Sequence, residues 1–186
     1  VFDLFNTFIG PLELELNEKS SYTVGRTHGV ANDKSYSSRI NAVDYALLHD
    51  DGVKIRGYKQ ADIILIGVSR CGKTPSCLYM ALQYGIMAAN YPFTEDDLID
   101  CNLPELLKPY KEKLFGLTID IERLHHIRTE RRPNSRYSSI EQCRLEVAEV
   151  EAMYQRERIP YLNSTKYSIE EISTKILAIS GLKRKI

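Results

Sequence analysis

An eight-residue segment combines the residue types that bind phosphate groups. Residues 67–74 read Gly-Val-Ser-Arg-Cys-Gly-Lys-Thr and match the pattern G-x-x-x-x-G-K-[ST] at every fixed position. Gly67 and Gly72 allow backbone turns in which successive N–H groups approach an anion closely. Lys73 adds a positive charge, and the Thr74 hydroxyl is a ligand for Mg²⁺. We call residues 67–74 the glycine loop, and its pattern predicts binding of nucleotide phosphates.

The flanking sequence supplies the elements that must position the glycine loop. Residues 63–66 (Ile-Ile-Leu-Ile) form an unbroken apolar run, as expected for a strand buried on both faces. After the loop, Leu78, Ala81 and Leu82 recur at helical spacing, and Pro75 falls in the first turn, where its missing N–H costs little. Strand, loop and helix in this order favour phosphate binding over a chance match in an ordinary turn.

The rest of the chain alternates between apolar runs and helical patterns. Further strands are predicted at 86–91, 113–118 and 159–162. Helices are predicted from residue 37 to about 48, over 103–110 and 121–132, from Ser138 or Ser139 to about 158, and over 169–179, where Ser168 and Glu171 form a capping box. An amphipathic helical pattern over residues 1–16 is broken at Gly10 and Pro11.

This alternation predicts a particular fold class. Strands that alternate with helices form a mainly parallel sheet with helices on both faces. Together with the glycine loop, the pattern indicates an α/β P-loop nucleotide-binding fold, preceded by a helical N-terminal segment. We therefore expect an N-terminal segment over residues 1–57 and a kinase-like domain over residues 58–186.

Several carboxylates are candidates for acid–base or metal chemistry. Asp120 follows the strand at 113–118 directly, and ligand sites of parallel sheets lie at the carboxyl ends of strands. It could hold Mg²⁺ or accept a hydroxyl proton, and it could equally cap the following helix. Asp50 and Asp51 precede the glycine-loop strand and offer a base, although an exposed helix end explains them as well.

Arginines cluster in one segment of the chain. Arg128, Arg131, Arg132 and Arg136 surround the sequence Pro-Asn-Ser at 133–135. Arginine forks suit phosphoryl oxygens, and a solvated helix face would carry a more even mixture of charges. The segment therefore favours binding of phosphate or of a partner protein.

Composition excludes several classes of function. The 186 residues carry 25 Lys and Arg against 25 Asp and Glu, so no net charge favours nucleic acid or an anionic membrane. No apolar run approaches the ~18 residues that a membrane span requires. The cysteines, Cys71, Cys77, Cys101 and Cys143, show no metal-site spacing and indicate reduced thiols and a cytoplasmic protein.

The chain resembles the bifunctional kinase/pyrophosphorylase family along essentially its whole length. The resemblance rests on the glycine loop with Pro75, and on residues 26–29 (Arg-Thr-His-Gly) and 49–52 (His-Asp-Asp-Gly) before it. It continues through 88–92, 114–120, 134–137, 146–151 and 163–165. The resemblance implies a kinase that transfers the β-phosphoryl group of ADP to a threonine of phosphoenolpyruvate synthase, which inactivates the target and leaves AMP. It also implies the reverse process, in which inorganic phosphate removes the phosphoryl group, releases pyrophosphate and reactivates the target.

The resemblance also implies roles for individual residues. Lys73 would stabilise charge on the transferred group, Thr74 and Asp120 would hold Mg²⁺, and Asp120 or Asp51 would activate the threonine. Arg128, Arg131 and Arg132 would offset developing charge. The ADP diphosphate would be bound by Gly67, Val68, Ser69, Arg70, Cys71, Gly72, Lys73 and Thr74.

Other readings of the sequence stay open. A small-molecule kinase that uses ATP would share the glycine loop, as would a non-catalytic module that binds the synthase in a nucleotide-dependent way. Family members carry a further N-terminal region, so we expect that the chain, which starts at Val1, lacks part of it. A homodimer is the expectation for a regulatory kinase of this size.

Overall fold

A computed structural model describes residues 4–20, 34–52, 55–98 and 102–186. The segment 26–29 and Cys101 lie outside the described residues. The chain forms two compact units, one up to Asp33 and one from Lys34 onward. The predicted domain boundary after residue 57 stays a prediction.

The first unit contains helix α1, Leu4–Leu16. The predicted break at Gly10 and Pro11 is wrong, because the helix continues through both residues. A proline inside a helix removes one N–H donor and disturbs one turn, which can kink a helix without ending it.

The second unit is built on a parallel sheet. Its strands are β1 (Ile63–Gly67), β2 (Ala88–Pro92), β3 (Leu114–Thr118) and β4 (Tyr161–Asn163). Within the described residues they form one four-stranded sheet in the order β2-β1-β3-β4, and every pair is parallel. The predicted parallel α/β fold is confirmed.

Helices cover the sheet. They are α2 (Lys34–Leu48), α3 (Lys73–Tyr84), α4 (Glu95–Leu98), α5 (Ile121–Arg131), α6 (Ile140–Glu157) and α7 (Ile169–Ser180). Every residue of β1 and β3 is buried, and because alternate side chains point to opposite faces, both faces must be covered. Helix α3 packs against α2 and α7, whereas α6 packs against β3 and α5.

Local signals fix several helix ends. Ser139 accepts a hydrogen bond from the Gln142 N–H at the start of α6, which confirms one of the two predicted caps. Ser168 and Glu171 form the predicted capping box at α7. Gly85 ends α3 with φ +65°, a left-handed conformation that suits glycine.

One predicted helix is wrong. Residues 105–107 form turns, and a 3₁₀ helix follows at Lys108–Lys113, where a helix over 103–110 was expected. Pro104 and Pro109 interrupt this segment, and each removes a backbone donor that an α-helix would use. Strands β2 and β4 begin two residues later than predicted.

The strand order determines where a ligand site can form. The chain leaves β1 toward β2 on one side, and β3 lies on the other side. In open parallel sheets, such a reversal of direction opens a crevice at the carboxyl ends of the strands. The glycine loop leaves β1 at this edge.

Candidate active site

Both glycines of the glycine loop are required by its backbone. Gly67 has φ +154°, and a Cβ there would lie 2.3 Å from the carbonyl oxygen of Leu117. Gly72 has φ +97° and is the N-cap of α3, with open space around it. Gly67 is therefore needed for space as well as conformation, and Gly72 for conformation alone.

The carbonyl groups of the loop are held from outside. Ser69 O accepts a hydrogen bond from Arg128 Nη2 at 3.3 Å, and Cys71 O accepts one from Ser164 Oγ at 2.9 Å. The oxygen of Gly67 accepts the Phe93 N–H at 3.0 Å. These contacts come from segments that follow β2, β3 and β4, so the completed sheet shapes the loop.

The N–H groups of the loop behave differently from its carbonyls. Within the described ranges, no backbone N–H from residue 69 to residue 74 donates a hydrogen bond to another group of the protein. The last of these residues form the first turn of α3, where the positive end of the helix dipole lies. Free donors combined with a helix N-terminus are the arrangement by which proteins bind phosphate.

Lys73 is folded into the loop. Its side chain is only 5% exposed, and Nζ donates to Gly67 O at 3.0 Å and to Val68 O at 2.7 Å. The ammonium group therefore lies among the loop's own carbonyls, next to the free N–H groups. Its charge adds to their positive potential.

Thr74 faces a carboxylate that precedes β1. Its hydroxyl donates to Asp50 Oδ1 at 2.8 Å. The Asn90 side chain donates to the same Asp50 oxygen and to Thr74 Oγ1, and it accepts the Asp51 N–H at 3.0 Å. One buried asparagine thus fixes the turn that carries both aspartates against the glycine loop.

A pocket of about 750 Å³ opens over the glycine loop. It is lined by Asp50, Asp51, Ser69, Arg70, Gly72, Lys73, Thr74, Pro75, Pro92, Ile127, Arg131, Arg132 and Tyr137. Its polar walls combine cations, carboxylates and hydroxyls. This mixture suits a ligand that carries phosphate groups.

The predicted arginines have different environments. Arg131 and Arg132 are exposed and line the pocket. Arg128 does not line it: the side chain is 1% exposed and pairs with Glu146 at 2.6 Å, under the ring of Tyr137. Burial alone would lower the pKa of Arg128, but the hydrogen bond and charge of Glu146 outweigh it and raise the pKa, so Arg128 stays charged.

Asp120 lies away from Thr74. It lines a second depression of about 610 Å³, where Asn163 Nδ2 donates to its Oδ1 at 2.8 Å. Its own N–H donates to Thr165 Oγ1 at 2.7 Å. Asn163 is the last residue of β4 and Thr165 follows it, so both partners lie on the outer side of β3 and Asp120 is hydrogen-bonded toward that edge. The structure therefore does not bring the predicted metal pair of Thr74 and Asp120 into one pocket.

Two other titratable groups near the pocket are held neutral. Burial, and then the charge of Asp50, raise the pKa of the Cys77 thiol. Burial, and then Asp97, raise the pKa of Tyr91 to about 12. Neither side chain is ionised near neutral pH, and the carboxylates that line the pocket are those of Asp50 and Asp51.

Sequence reasoning missed Asn90 and Tyr137 as site residues. Asn90 is a polar residue inside an apolar strand that neighbours β1, which is a signal that could have been used. Tyr137 Oη lies 3.0 Å from Ser69 Oγ, but this contact joins positions 68 residues apart and has no local signature.

The described residues contain no group of three or more His, Cys, Asp or Glu side chains that could hold a metal ion. Mg²⁺ needs no such cage, because it is commonly bound by one or two protein oxygens together with phosphates and water. No helix in the described part of the chain is long and apolar enough to cross a membrane.

A parallel α/β fold with a loop of free N–H groups at a strand end is typical of nucleotide-binding proteins. The family model described as Kinase/pyrophosphorylase matches residues 1–177. The chain belongs to the kinase/pyrophosphorylase family, and the resemblance inferred from the sequence is confirmed. The family supports a kinase or phosphotransferase activity.

Relatives from several bacteria match the chain over nearly all its length. A Legionella pneumophila (strain Corby) protein is 80% identical over 186 residues, which cover 100% of this chain and 69% of the relative. A Hahella chejuensis protein is 62% identical over 186 residues, 100% of this chain and 68% of the relative. A Pseudomonas aeruginosa protein is 58% identical over 185 residues, 100% of this chain and 68% of the relative. All three bear the provisional name phosphoenolpyruvate synthase regulatory protein.

Proposed function

We propose that this chain regulates phosphoenolpyruvate synthase by reversible phosphorylation of a threonine. In the forward reaction ADP is the phosphoryl donor, and in the reverse reaction inorganic phosphate is the acceptor. The target is inferred from the name that the relatives bear. The observation that carries the proposal is the row of free N–H groups beside Lys73, at the edge of a pocket that two exposed arginines also line.

One site can serve both directions because the chemistry is symmetrical. In the forward reaction the threonine oxygen attacks the β-phosphorus of ADP, the bond from that phosphorus to the bridging oxygen breaks, and AMP leaves. The threonine proton passes to a base. In the reverse reaction an oxygen of inorganic phosphate attacks the phosphothreonine phosphorus, pyrophosphate forms, and the threonine oxygen regains a proton. Both are displacements at phosphorus that need positioning and charge stabilisation.

The residues of the pocket have distinct proposed roles. The N–H groups of residues 69–74 bind the diphosphate, and Lys73 leaves the loop carbonyls to contact the transferred group. Arg131 and Arg132 offset the charge that develops during transfer. Asp51 lines this pocket and Asp120 does not, so Asp51 is the better of the two predicted bases.

Mg²⁺ fits the oxygen ligands beside the diphosphate site. The Thr74 hydroxyl and the neighbouring carboxylate of Asp50 are hard ligands, which Mg²⁺ prefers. When bound, the ion would neutralise phosphate charge. The chain's own part is to hold Thr74 and the carboxylates ready, through the hydrogen bonds of Asn90.

The experiment measures phosphothreonine on the target. Purified phosphoenolpyruvate synthase is incubated with this chain and ADP, phosphothreonine is detected by mass spectrometry, and AMP is quantified. Lys73→Ala should lower the rate of AMP formation by about 100-fold or more, because a charge-stabilising contact is lost. Lys108→Ala is the matched control, since Lys108 is exposed on a different part of the fold and, among the residues that the structure describes, forms an ion pair only with Glu105.

The same assay separates the competing functions. Transfer from ATP to a small molecule, with no transfer from ADP, would indicate a small-molecule kinase. Tight ADP binding without phosphothreonine would indicate a non-catalytic module. Unchanged turnover by Lys73→Ala would refute the role of the glycine loop.

A further inference from the structure

Asn90 joins three parts of the pocket through one side chain. It lies in β2, next to Leu65 of β1, and is 1% exposed. Its Nδ2 donates to Asp50 Oδ1 and to Thr74 Oγ1, and its Oδ1 accepts the Asp51 N–H. Its backbone N–H also donates to the His49 carbonyl at 3.3 Å. The amide group therefore uses both of its ends to fix the segment that precedes β1.

The carboxylate of Asp50 is held by only one of its oxygens. Oδ1 accepts hydrogen bonds from Thr74 and Asn90. Oδ2 accepts none from the residues that the structure describes, and Asp50 lines the pocket. A carboxylate with one fixed oxygen and one free oxygen is oriented while keeping a ligand position available.

Asp51 contributes its backbone to this hydrogen-bond network, whereas Asp50 contributes its carboxylate. Asp51 contributes its N–H to Asn90, and its backbone has φ +50°, a left-handed conformation that is uncommon outside glycine. The strained turn is stabilised by Asn90, which accepts the Asp51 N–H and donates to the His49 carbonyl and to Asp50 Oδ1. The turn therefore holds Asp50 beside Thr74.

We infer that Asp50, from the segment before β1, is the carboxylate that acts with Thr74 toward Mg²⁺, and that Asn90 is its positioning residue. This inference rests on the proposed function, because it needs a nucleotide diphosphate in the pocket. It replaces the predicted pairing of Thr74 with Asp120. The Thr74 proton is donated to Asp50 and one lone pair of the hydroxyl oxygen accepts from Asn90, so the second lone pair stays available to a cation. Partners that orient a ligand in this way commonly contribute 10–100-fold to metal affinity.

The test is the dependence of ADP binding on Mg²⁺, measured by calorimetry. ADP affinity is determined in excess EDTA and again in a Mg²⁺ titration, and Mn²⁺ binding in the presence of ADP is followed by electron paramagnetic resonance. In Asp50→Asn, ADP affinity in EDTA should not fall, whereas the concentration of Mg²⁺ or Mn²⁺ at half-saturation should rise about 10-fold or more. Asp44→Asn, a change to an exposed aspartate on α2, should behave as the wild type.

Asn90→Ala distinguishes positioning from a general structural role. Its Mg²⁺ half-saturation should rise about 10-fold, and high Mg²⁺ should restore ADP affinity, because the Asp50 carboxylate is still present. A purely structural role would instead weaken ADP binding in EDTA to the same degree.

Two results would overturn the inference while leaving the proposed function intact. One is an unchanged Mg²⁺ response in Asp50→Asn, and the other is a loss of that response in Asp120→Asn instead. A wild-type chain that binds no ADP in either condition would overturn the proposed function together with the inference.

Discussion

The two polar walls of the pocket are organised in opposite ways. On one wall, the carboxylates are already fixed: Asp50 accepts hydrogen bonds from Thr74 and from the buried amide of Asn90. On the other wall, the side chains of Arg131 and Arg132 make no hydrogen bond or ion pair with any residue that the structure describes.

Behind the exposed arginines lies a buried anchor. Arg128 pairs with Glu146 of α6, and also donates to Tyr137 O at 3.1 Å and to Ser69 O in the glycine loop. Gln142 Nε2 donates to the second Glu146 oxygen at 3.0 Å. These three arginines lie within five positions, yet Arg128 stabilises the structure while Arg131 and Arg132 are available to a ligand. Arg128 therefore holds the glycine loop in place, whereas Arg131 and Arg132 must be ordered by a ligand.

The largest effect is expected at the buried anchor. Arg128→Ala leaves Glu146 as a buried charge without its cation, and should lower the free energy of unfolding by about 3–5 kcal/mol. Urea denaturation measures this loss. Arg136→Ala removes an exposed pair with Glu95 and should cost at most about 1 kcal/mol. If both variants lost the same free energy of unfolding, the contrast between buried and exposed arginines would be wrong.

Replacing the exposed arginines should lower activity strongly and stability only slightly. Replacing both Arg131 and Arg132 with Ala should slow AMP formation about 100-fold, because their charge is needed only when phosphate charge develops. The free energy of unfolding should change by no more than about 0.5 kcal/mol per substitution. Single-turnover assays and denaturation of the same samples measure both quantities. A stability loss that matched the loss of activity would assign these arginines to the fold.

The smallest effect is expected at Tyr137, which contacts both Arg128 and the glycine loop. Tyr137→Phe removes the hydroxyl that lies 3.0 Å from Ser69 Oγ and keeps the ring that covers Arg128. Loss of one partly buried hydrogen bond should cost about 1 kcal/mol of stability. ADP affinity, measured by calorimetry, should fall a few-fold because the loop is less well held. Tyr36→Phe, an exposed tyrosine on α2, is the control.

Much of the fold follows from local signals. The apolar run of β1, the glycines at 67 and 72 and the capping box at Ser168 each act within a few residues, so a pattern reveals them. The segments at Pro11 and around Pro109 were predicted incorrectly, because a proline weakens a helix locally while neighbouring contacts decide whether it ends.

The chain by itself determined the parallel α/β class, the glycine loop and the family, since these depend on residue types at fixed spacing. Only the tertiary structure decided which charged side chains reach the loop. Asp120 and Arg128 were both predicted to act there, yet one turns toward Asn163 and the other is buried against Glu146. Asp50 and Asn90, 40 residues apart, meet at Thr74 instead. The reason is physical: strand order and helix packing set which segments become neighbours, and no short pattern encodes that order.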